Sequence, residues 1–91
     1  MPKYVIERDI PGIGSLSHEE FVGAAQKSND AISALVPRVQ WQESYVTTDK
    51  VYCVFIAEDE GVVREHATLS GFPADRVSRV RTILDPTTTD R

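Results

Sequence analysis

The apolar run at residues 51–57, VYCVFIA, contains no polar alternate. A surface strand of an antiparallel sheet normally places apolar residues toward the core and polar residues toward solvent. Because successive side chains of a strand point to opposite faces, both faces of this strand carry apolar side chains. The chain's own helices can cover one face. The other face needs a second copy of the chain or an enclosed ligand, so this run predicts a homodimer or a ligand cavity.

The remaining pattern predicts two helices and three more strands. Ser17 with Glu20 three residues later forms a capping box, and apolar residues at three- and four-residue spacing continue a helix over residues 17–35. A second helix follows the acidic residues 58–60, with Leu69 on its inner face, and ends at Gly71. The predicted strands cover residues 3–8, 39–47, 51–57 and 77–84.

This β-α-β-β-α-β order predicts an α+β, ferredoxin-like fold. We expect a four-stranded antiparallel sheet with both helices on one face, in a single domain over residues 1–86, followed by a flexible tail at 87–91. On the second strand, Trp41, Glu43 and Tyr45 fall on one side by alternation. Trp41 and Tyr45 are large enough to favour a face-to-face homodimer in which two sheets form a barrel-like core.

The register of the central hairpin decides which side chains meet. With a two-residue loop Tyr45 faces Tyr52, and Cys53 lies on the opposite face beside Ser44. With a three-residue loop Tyr45 faces Cys53, and Glu43 shares their surface. A slip of one residue exchanges the faces, and the sequence leaves both registers open.

Composition and charge exclude several classes of partner and cofactor. The net charge of -4 and the pI near 5.0 argue against nucleic-acid binding, which requires a basic surface. The chain has no apolar stretch of membrane-spanning length and no readable signal peptide, so we expect a cytoplasmic protein without a membrane partner. Its single cysteine excludes an intrachain disulfide and a self-contained cysteine-ligated iron–sulfur cluster. The loop before the first helix lacks the P-loop pattern, so no nucleotide is expected.

A few side chains could carry chemistry. Cys53 is either a soft metal ligand or a small buried hydrophobe. His66 is either a ligand or base, or a histidine satisfied at the edge of the core. Glu43, between two aromatic residues, is either exposed or buried with a partner. The predicted ligand pocket consists of Glu7, Trp41, Glu43, Tyr45 and Tyr52.

Several runs together resemble a known family. They are PKYVIERDIPG at 2–12, WQESYV at 41–46, DKVYCV at 49–54, VREHA at 63–67, GFPA at 71–74 and ILDPT at 83–87. The chain resembles a small bacterial family filed as domain of unknown function 4242 and described as nickel-binding-protein-like. The resemblance implies a ferredoxin-like fold, a homodimer and nickel as the bound metal. Within the matched runs, the side chains able to ligate a metal are Glu43, Tyr45, Cys53 and His66.

The sequence therefore supports three hypotheses. The first is a cytoplasmic, non-catalytic homodimer that binds nickel or a small ligand in an aromatic-lined cavity. The second is a cofactor-free enzyme of the dimeric α+β barrel type (a monooxygenase, lyase or isomerase) with His66 or Glu43 as base, which rests on analogy of fold. The third is a structural or interaction module whose polar residues are simply satisfied.

Overall fold

The computed structural model describes residues 1–90, and over this range the chain forms a four-stranded antiparallel sheet with two α-helices. The sheet order is β2-β3-β1-β4. This arrangement confirms the predicted α+β, ferredoxin-like fold. The elements are β1 (Lys3–Asp9), α1 (His18–Leu35), β2 (Val39–Val46), β3 (Lys50–Ala57), α2 (Glu60–Ser70) and β4 (Arg76–Arg79). Short 3-10 turns occupy Ile13–Ser15 and Pro86–Asp90.

Side-chain hydrogen bonds fix the starts of both helices. The backbone N–H of Glu20 donates to the Ser17 hydroxyl at 3.2 Å, and the Glu20 carboxylate accepts from the Ser17 N–H at 3.1 Å, which confirms the capping box. Asp59 caps α2 by accepting from the N–H of Val62 at 2.9 Å. Within the described residues, no helix is long and apolar enough to span a membrane.

One inward position of α2 was predicted wrongly. The buried residues of α2 are Val62, Val63, His66, Ala67 and Ser70. This set follows helical spacing of three and four residues, so the next inward position after Ala67 falls at Ser70 rather than at Leu69. Leu69 is accordingly 54% exposed.

The core lies between the helices and one face of the sheet. Alternate residues of β1 and β3, such as Ile6 and Phe55, are buried there against Leu35, Val62 and Val63 from the helices. The intervening residues point to the other side of the sheet, which we call the open face. In a single chain the apolar residues of the open face are only half-buried, and they include Val5, Tyr52, Val54 and Ile56.

The register between β2 and β3 follows the two-residue loop. Tyr45 pairs with Tyr52 and Ser44 pairs with Cys53. Farther along, Trp41 pairs with Phe55 whereas Glu43 pairs with the adjacent residue Val54, so one extra residue, at position 42, forms a β-bulge.

The bulge changes the face on which Trp41 lies. Strict alternation predicted Trp41 on the same side as Glu43 and Tyr45, and this prediction was wrong. Because the extra residue shifts the alternation by one, Trp41 faces the helices while Glu43 and Tyr45 lie on the open face.

The last strand is shorter than predicted: β4 covers Arg76–Arg79 rather than residues 77–84. Its partner β1 begins at Lys3, and one further backbone bond runs from the Val80 N–H to the Lys3 carbonyl at 2.8 Å. Beyond that point β1 offers no backbone for pairing, and Ile83 and Leu84 are 62% and 80% exposed. The tail predicted to be flexible begins inside the turn Pro86–Asp90, and its last residue, Arg91, lies outside the described residues.

Gly14 packs directly against the turn between β2 and β3. A Cβ atom on Gly14 would lie 2.6 Å from the Thr47 carbonyl oxygen and 2.9 Å from the Thr48 Cα atom. Both are backbone atoms, so the turn or the Gly14 loop must move. We expect Gly14→Ala to lower the free energy of unfolding, measured in urea, by about 1–3 kcal/mol.

Gly23→Ala, inside α1, is the matched control. A Cβ atom there meets no other atom within 4 Å. Since alanine favours a helix over glycine, this variant is expected to raise the free energy of unfolding by about 0.5–1 kcal/mol. Changes of the same sign and size in the two variants would contradict the close packing of Gly14.

Candidate functional site

A cavity of about 300 Å³ lies between α1, the helix-facing side of the sheet and the loop after β1, and it is partly open to solvent. Its walls are mostly apolar. Polar atoms enter through Arg8, Ser28, Ser44 and Cys53. The apolar walls include Phe21, Ala24 and Ala25 from α1, Trp41 and Val51 from the sheet, and Phe72 from the segment after α2.

Arg8 is the principal polar group of this cavity, although it is only 2% exposed. Its Nε donates to the Cys53 sulfur at 3.4 Å, and its Nη1 donates to the Pro73 carbonyl at 2.6 Å. The guanidinium carbon lies 5.8 Å from the centre of the Phe72 ring, within cation–π distance. Within residues 1–90, no carboxylate forms an ion pair with Arg8.

Arg8 was not among the candidate residues predicted from the sequence, although the strand pattern contains a signal for it. In β1, the side chains of residues 4, 6 and 8 point to the same face of the sheet, and Tyr4 and Ile6 are core residues. A charged residue at a strand position that faces the core is unusual and indicates a specific role. The register of β1 in the sheet is what identifies position 8 as inward-facing.

Cys53 and Trp41 belong to the same cavity wall. The Cys53 thiol is buried and accepts the hydrogen bond from Arg8. The Trp41 indole Nε1 donates to the Ser44 hydroxyl at 3.0 Å, so the polar edge of this ring is satisfied. The bulge on β2 therefore places an aromatic ring in the cavity wall.

His66 is 1% exposed and lies behind the cavity rather than in its wall. Its Nε2 lies 3.2 Å from both the hydroxyl and the backbone carbonyl of Ser28. Because a carbonyl only accepts, Nε2 carries the hydrogen, which leaves Nδ1 of the neutral ring as a bare acceptor. Nδ1 is buried and has no hydrogen-bond partner within the described chain. The Phe55 ring packs against the imidazole with 4.8 Å between ring centres.

The environment of His66 favours its neutral form. Burial lowers the pKa of His66 because it removes water from the charged imidazolium. The positive charge of Arg8 lowers this pKa further, while the hydrogen bond to the Ser28 backbone partly opposes the shift. A neutral imidazole is the form that binds metals or accepts protons.

The open face carries a different set of groups. Glu43 and Tyr45 lie there on β2, and a hydrogen bond to the Glu43 carboxylate raises the pKa of the Tyr45 hydroxyl. Tyr52 pairs with both Tyr45 and Glu7, so these three residues form a row across the sheet. The Lys50 ammonium lies 2.6 Å from the Glu7 carboxylate, and this hydrogen bond lowers the pKa of Glu7.

The sheet thus separates the four side chains proposed as metal ligands. Cys53 and His66 lie on the helix side, whereas Glu43 and Tyr45 lie on the open face. Within residues 1–90, no three His, Cys, Asp or Glu side chains are arranged to hold a metal ion. The Arg8 guanidinium in contact with Cys53 also opposes a metal cation on the helix side. Within residues 1–90, one chain therefore does not bring the four proposed ligands together.

The proposed pocket set divides in the same way. Trp41 lines the cavity on the helix side. The other members of the set, Glu7, Glu43, Tyr45 and Tyr52, lie on the open face. Their role in ligand binding stays a prediction.

Burial of neutral His66 predicts a loss of stability in mild acid. Its folded pKa is lowered from the ordinary value of 6.5. At pH values between the folded pKa and 6.5, the unfolded chain binds more protons at His66 than the folded chain does. The contribution of neutral His66 to the free energy of unfolding is therefore complete above pH 6.5 and is lost as the pH falls toward the folded pKa. We expect His66→Gln to reduce the pH dependence of the free energy of unfolding, measured in urea at about pH 7.5 and about pH 5.5. His18→Gln replaces the other histidine of the chain, at an exposed position, and is the matched control. A pH dependence in His66→Gln equal to that of the wild type and of His18→Gln would contradict the assignment.

Comparison with known proteins identifies relatives of this fold. The crystal structure of SCO4226 from Streptomyces coelicolor A3(2) superposes with a TM-score of 0.71 at 16% sequence identity, covering 90% of this chain and 99% of that chain. At this identity the likeness supports the fold alone. No curated protein sequence gives a significant match.

A family model gives the more specific result, since it is matched by sequence over residues 4–80. Its description as nickel responsive agrees with the nickel-related family that the sequence resembles, and it does not support the family number 4242. Because the match spans most of the 91 residues, the chain belongs to the family described as nickel responsive protein SCO4226-like.

Proposed function

We propose that this protein is a non-catalytic cytoplasmic homodimer that binds nickel on the open face of its sheet. The observation that carries the proposal is that Glu43 and Tyr45 lie near each other on the open face, where the Glu43 carboxylate raises the pKa of the Tyr45 hydroxyl. The description of the family as nickel responsive supports nickel as the metal.

The open face suits a cation better than the helix side does. Carboxylate oxygen is an acceptable donor to nickel, and Glu43 is exposed to incoming ions. On the helix side, by contrast, the Cys53 sulfur is in contact with a guanidinium that carries no counterion within residues 1–90. Two donors from one chain are too few for a closed metal site, so a second chain or water would supply the others.

Two features support a homodimer. The open face presents Val5, Val54 and Ile56, which a single chain leaves half-buried. The segment after β4 exposes Ile83 and Leu84, although both are large apolar residues. Large apolar residues left accessible in this way are typical of interaction sites. A second copy offers the same apolar surface, so an isologous dimer would bury both.

The cavity walls argue against the enzyme hypothesis. A cofactor-free enzyme needs a base that faces its bound substrate. Among the described residues that line the cavity there is a guanidinium, a thiol and two serine hydroxyls, but neither an imidazole nor a carboxylate. His66 lies behind Ser28, and Glu43 lies across the sheet.

Nickel binding is tested by calorimetric titration of tag-free, reduced protein. We expect saturable binding that Glu43→Gln weakens by at least about tenfold, because the variant removes the charged donor. Glu19→Gln, which removes an exposed carboxylate on α1, is the matched control and should bind nickel as the wild type does. Cys53→Ala/His66→Ala should also retain binding. Absence of binding, or its loss only in the Cys53/His66 variant, would overturn the proposed open-face site.

The homodimer is tested by light scattering coupled to size-exclusion chromatography at micromolar concentration. We expect a dimer in the wild type and a shift toward monomer in Ile83→Asp, since a charge would have to be buried at the interface. Leu69→Asp is the matched control, because Leu69 is similarly exposed but lies on the outer side of α2. A monomeric wild type, or equal behaviour of the two variants, would contradict this interface.

A further inference from the structure

Arg8 presents an electrostatic imbalance inside the chain. A guanidinium stays protonated at all relevant pH values, so burial cannot be relieved by loss of a proton. Burying a charge is strongly unfavourable unless an opposite charge and hydrogen bonds compensate for it. Arg8 is 2% exposed, its protein acceptors are the Cys53 sulfur and the Pro73 carbonyl, and within residues 1–90 no carboxylate pairs with it.

The guanidinium also retains unused donors. Of its five N–H groups, one on Nε and one on Nη1 are directed at Cys53 and Pro73. Nη2 has no acceptor within residues 1–90. Because Arg8 is part of the cavity wall, an anion that enters the cavity can reach these donors.

We propose that this cavity binds a small monocarboxylate with an apolar body, whose carboxylate pairs with Arg8. A single negative charge neutralises the guanidinium, and planar carboxylates match the donor geometry of arginine. A dianion such as phosphate would leave an uncompensated negative charge among apolar walls. The apolar body would contact Phe21, Ala24 and Trp41.

The cavity volume limits the size of the ligand. At about 300 Å³ it lies at the lower end of the range for small-molecule sites. This volume suits one aromatic ring on a short chain or a medium-length aliphatic chain. The site is separate from the open face proposed for nickel, so this inference does not rest on nickel binding.

Trp41 provides the signal for a direct test, because it is the single tryptophan of the chain and lines the cavity. We would titrate metal-free protein, kept in a chelator, with 3-phenylpropionate and follow the tryptophan fluorescence. We expect saturable binding, and at least about tenfold weaker binding of 3-phenylpropanamide, which has the same body without the charge. Acetate, which has the charge with almost no apolar body, should bind more weakly than 3-phenylpropionate. Octanoate, which carries the same charge on an aliphatic chain, should also bind.

Two variants separate the roles of charge and space. Arg8→Met keeps an unbranched side chain but removes the charge, and it should remove the preference for the carboxylate over the amide. Arg79→Met removes an exposed arginine from β4 and should bind as the wild type does. Ala24→Leu adds apolar volume to the cavity wall while keeping the Arg8 charge, and it should abolish binding of both compounds.

Several results would overturn the proposal. The first is equal affinity of the wild type for the carboxylate and the amide. The second is that neither 3-phenylpropionate nor octanoate binds detectably. The third is unchanged carboxylate binding by folded Arg8→Met. Circular dichroism checks that each variant is folded. If Arg8→Met does not fold, the comparison of carboxylate with amide on the wild type decides by itself, because it changes the ligand and leaves the protein intact.

Discussion

The pairing of β1 with β3 is the constraint on which the rest of the molecule depends. These are the two central strands of the sheet, and their register places Ile6 opposite Cys53 and Glu7 opposite Tyr52. Since side chains alternate along both strands, this one register assigns each group to the helix side or to the open face. It places Arg8 inside the helix-side cavity and its neighbour Glu7 on the opposite surface.

The sheet consequently separates two kinds of electrostatic environment. The helix side combines apolar walls with one guanidinium, and this positive charge reaches as far as His66, where it disfavours the imidazolium. The open face carries the carboxylates of Glu7 and Glu43 beside tyrosines. The proposed carboxylate site and the proposed nickel site therefore lie on opposite sides of the sheet.

Much of this fold was predictable from local sequence. The capping box at Ser17, the helical spacing of α1 and the two-sided apolar pattern of β3 each depend on residues close together in the chain. The length of β4 was not predictable in the same way, because it is limited by where its partner β1 begins at Lys3. The bulge at position 42 has no glycine to mark it, and it was sufficient to move Trp41 to the other face.

The site was less predictable than the fold because its members come from distant parts of the chain. The cavity joins residues of β1, α1, β2, β3 and the segment after α2. Cys53 and His66 were selected as candidate ligands, a role that stays a prediction, whereas Arg8 was not selected, since its burial depends on the packing of Phe72 and Pro73 far along the sequence.

The close approach of Gly14 to the β2–β3 turn also affects how this protein tolerates changes in length. Turns between antiparallel strands commonly accept insertions, because they lie at the surface and contact little else. Here the Asp49 carboxylate accepts from the Gly12 N–H at 2.9 Å, and the Thr48 carbonyl accepts from the Gly14 N–H at 3.0 Å. Ile13, between these two glycines, belongs to the cavity wall. An insertion in this turn would therefore displace part of the wall of the helix-side cavity, so we expect added residues to be tolerated better in turns that lack such contacts.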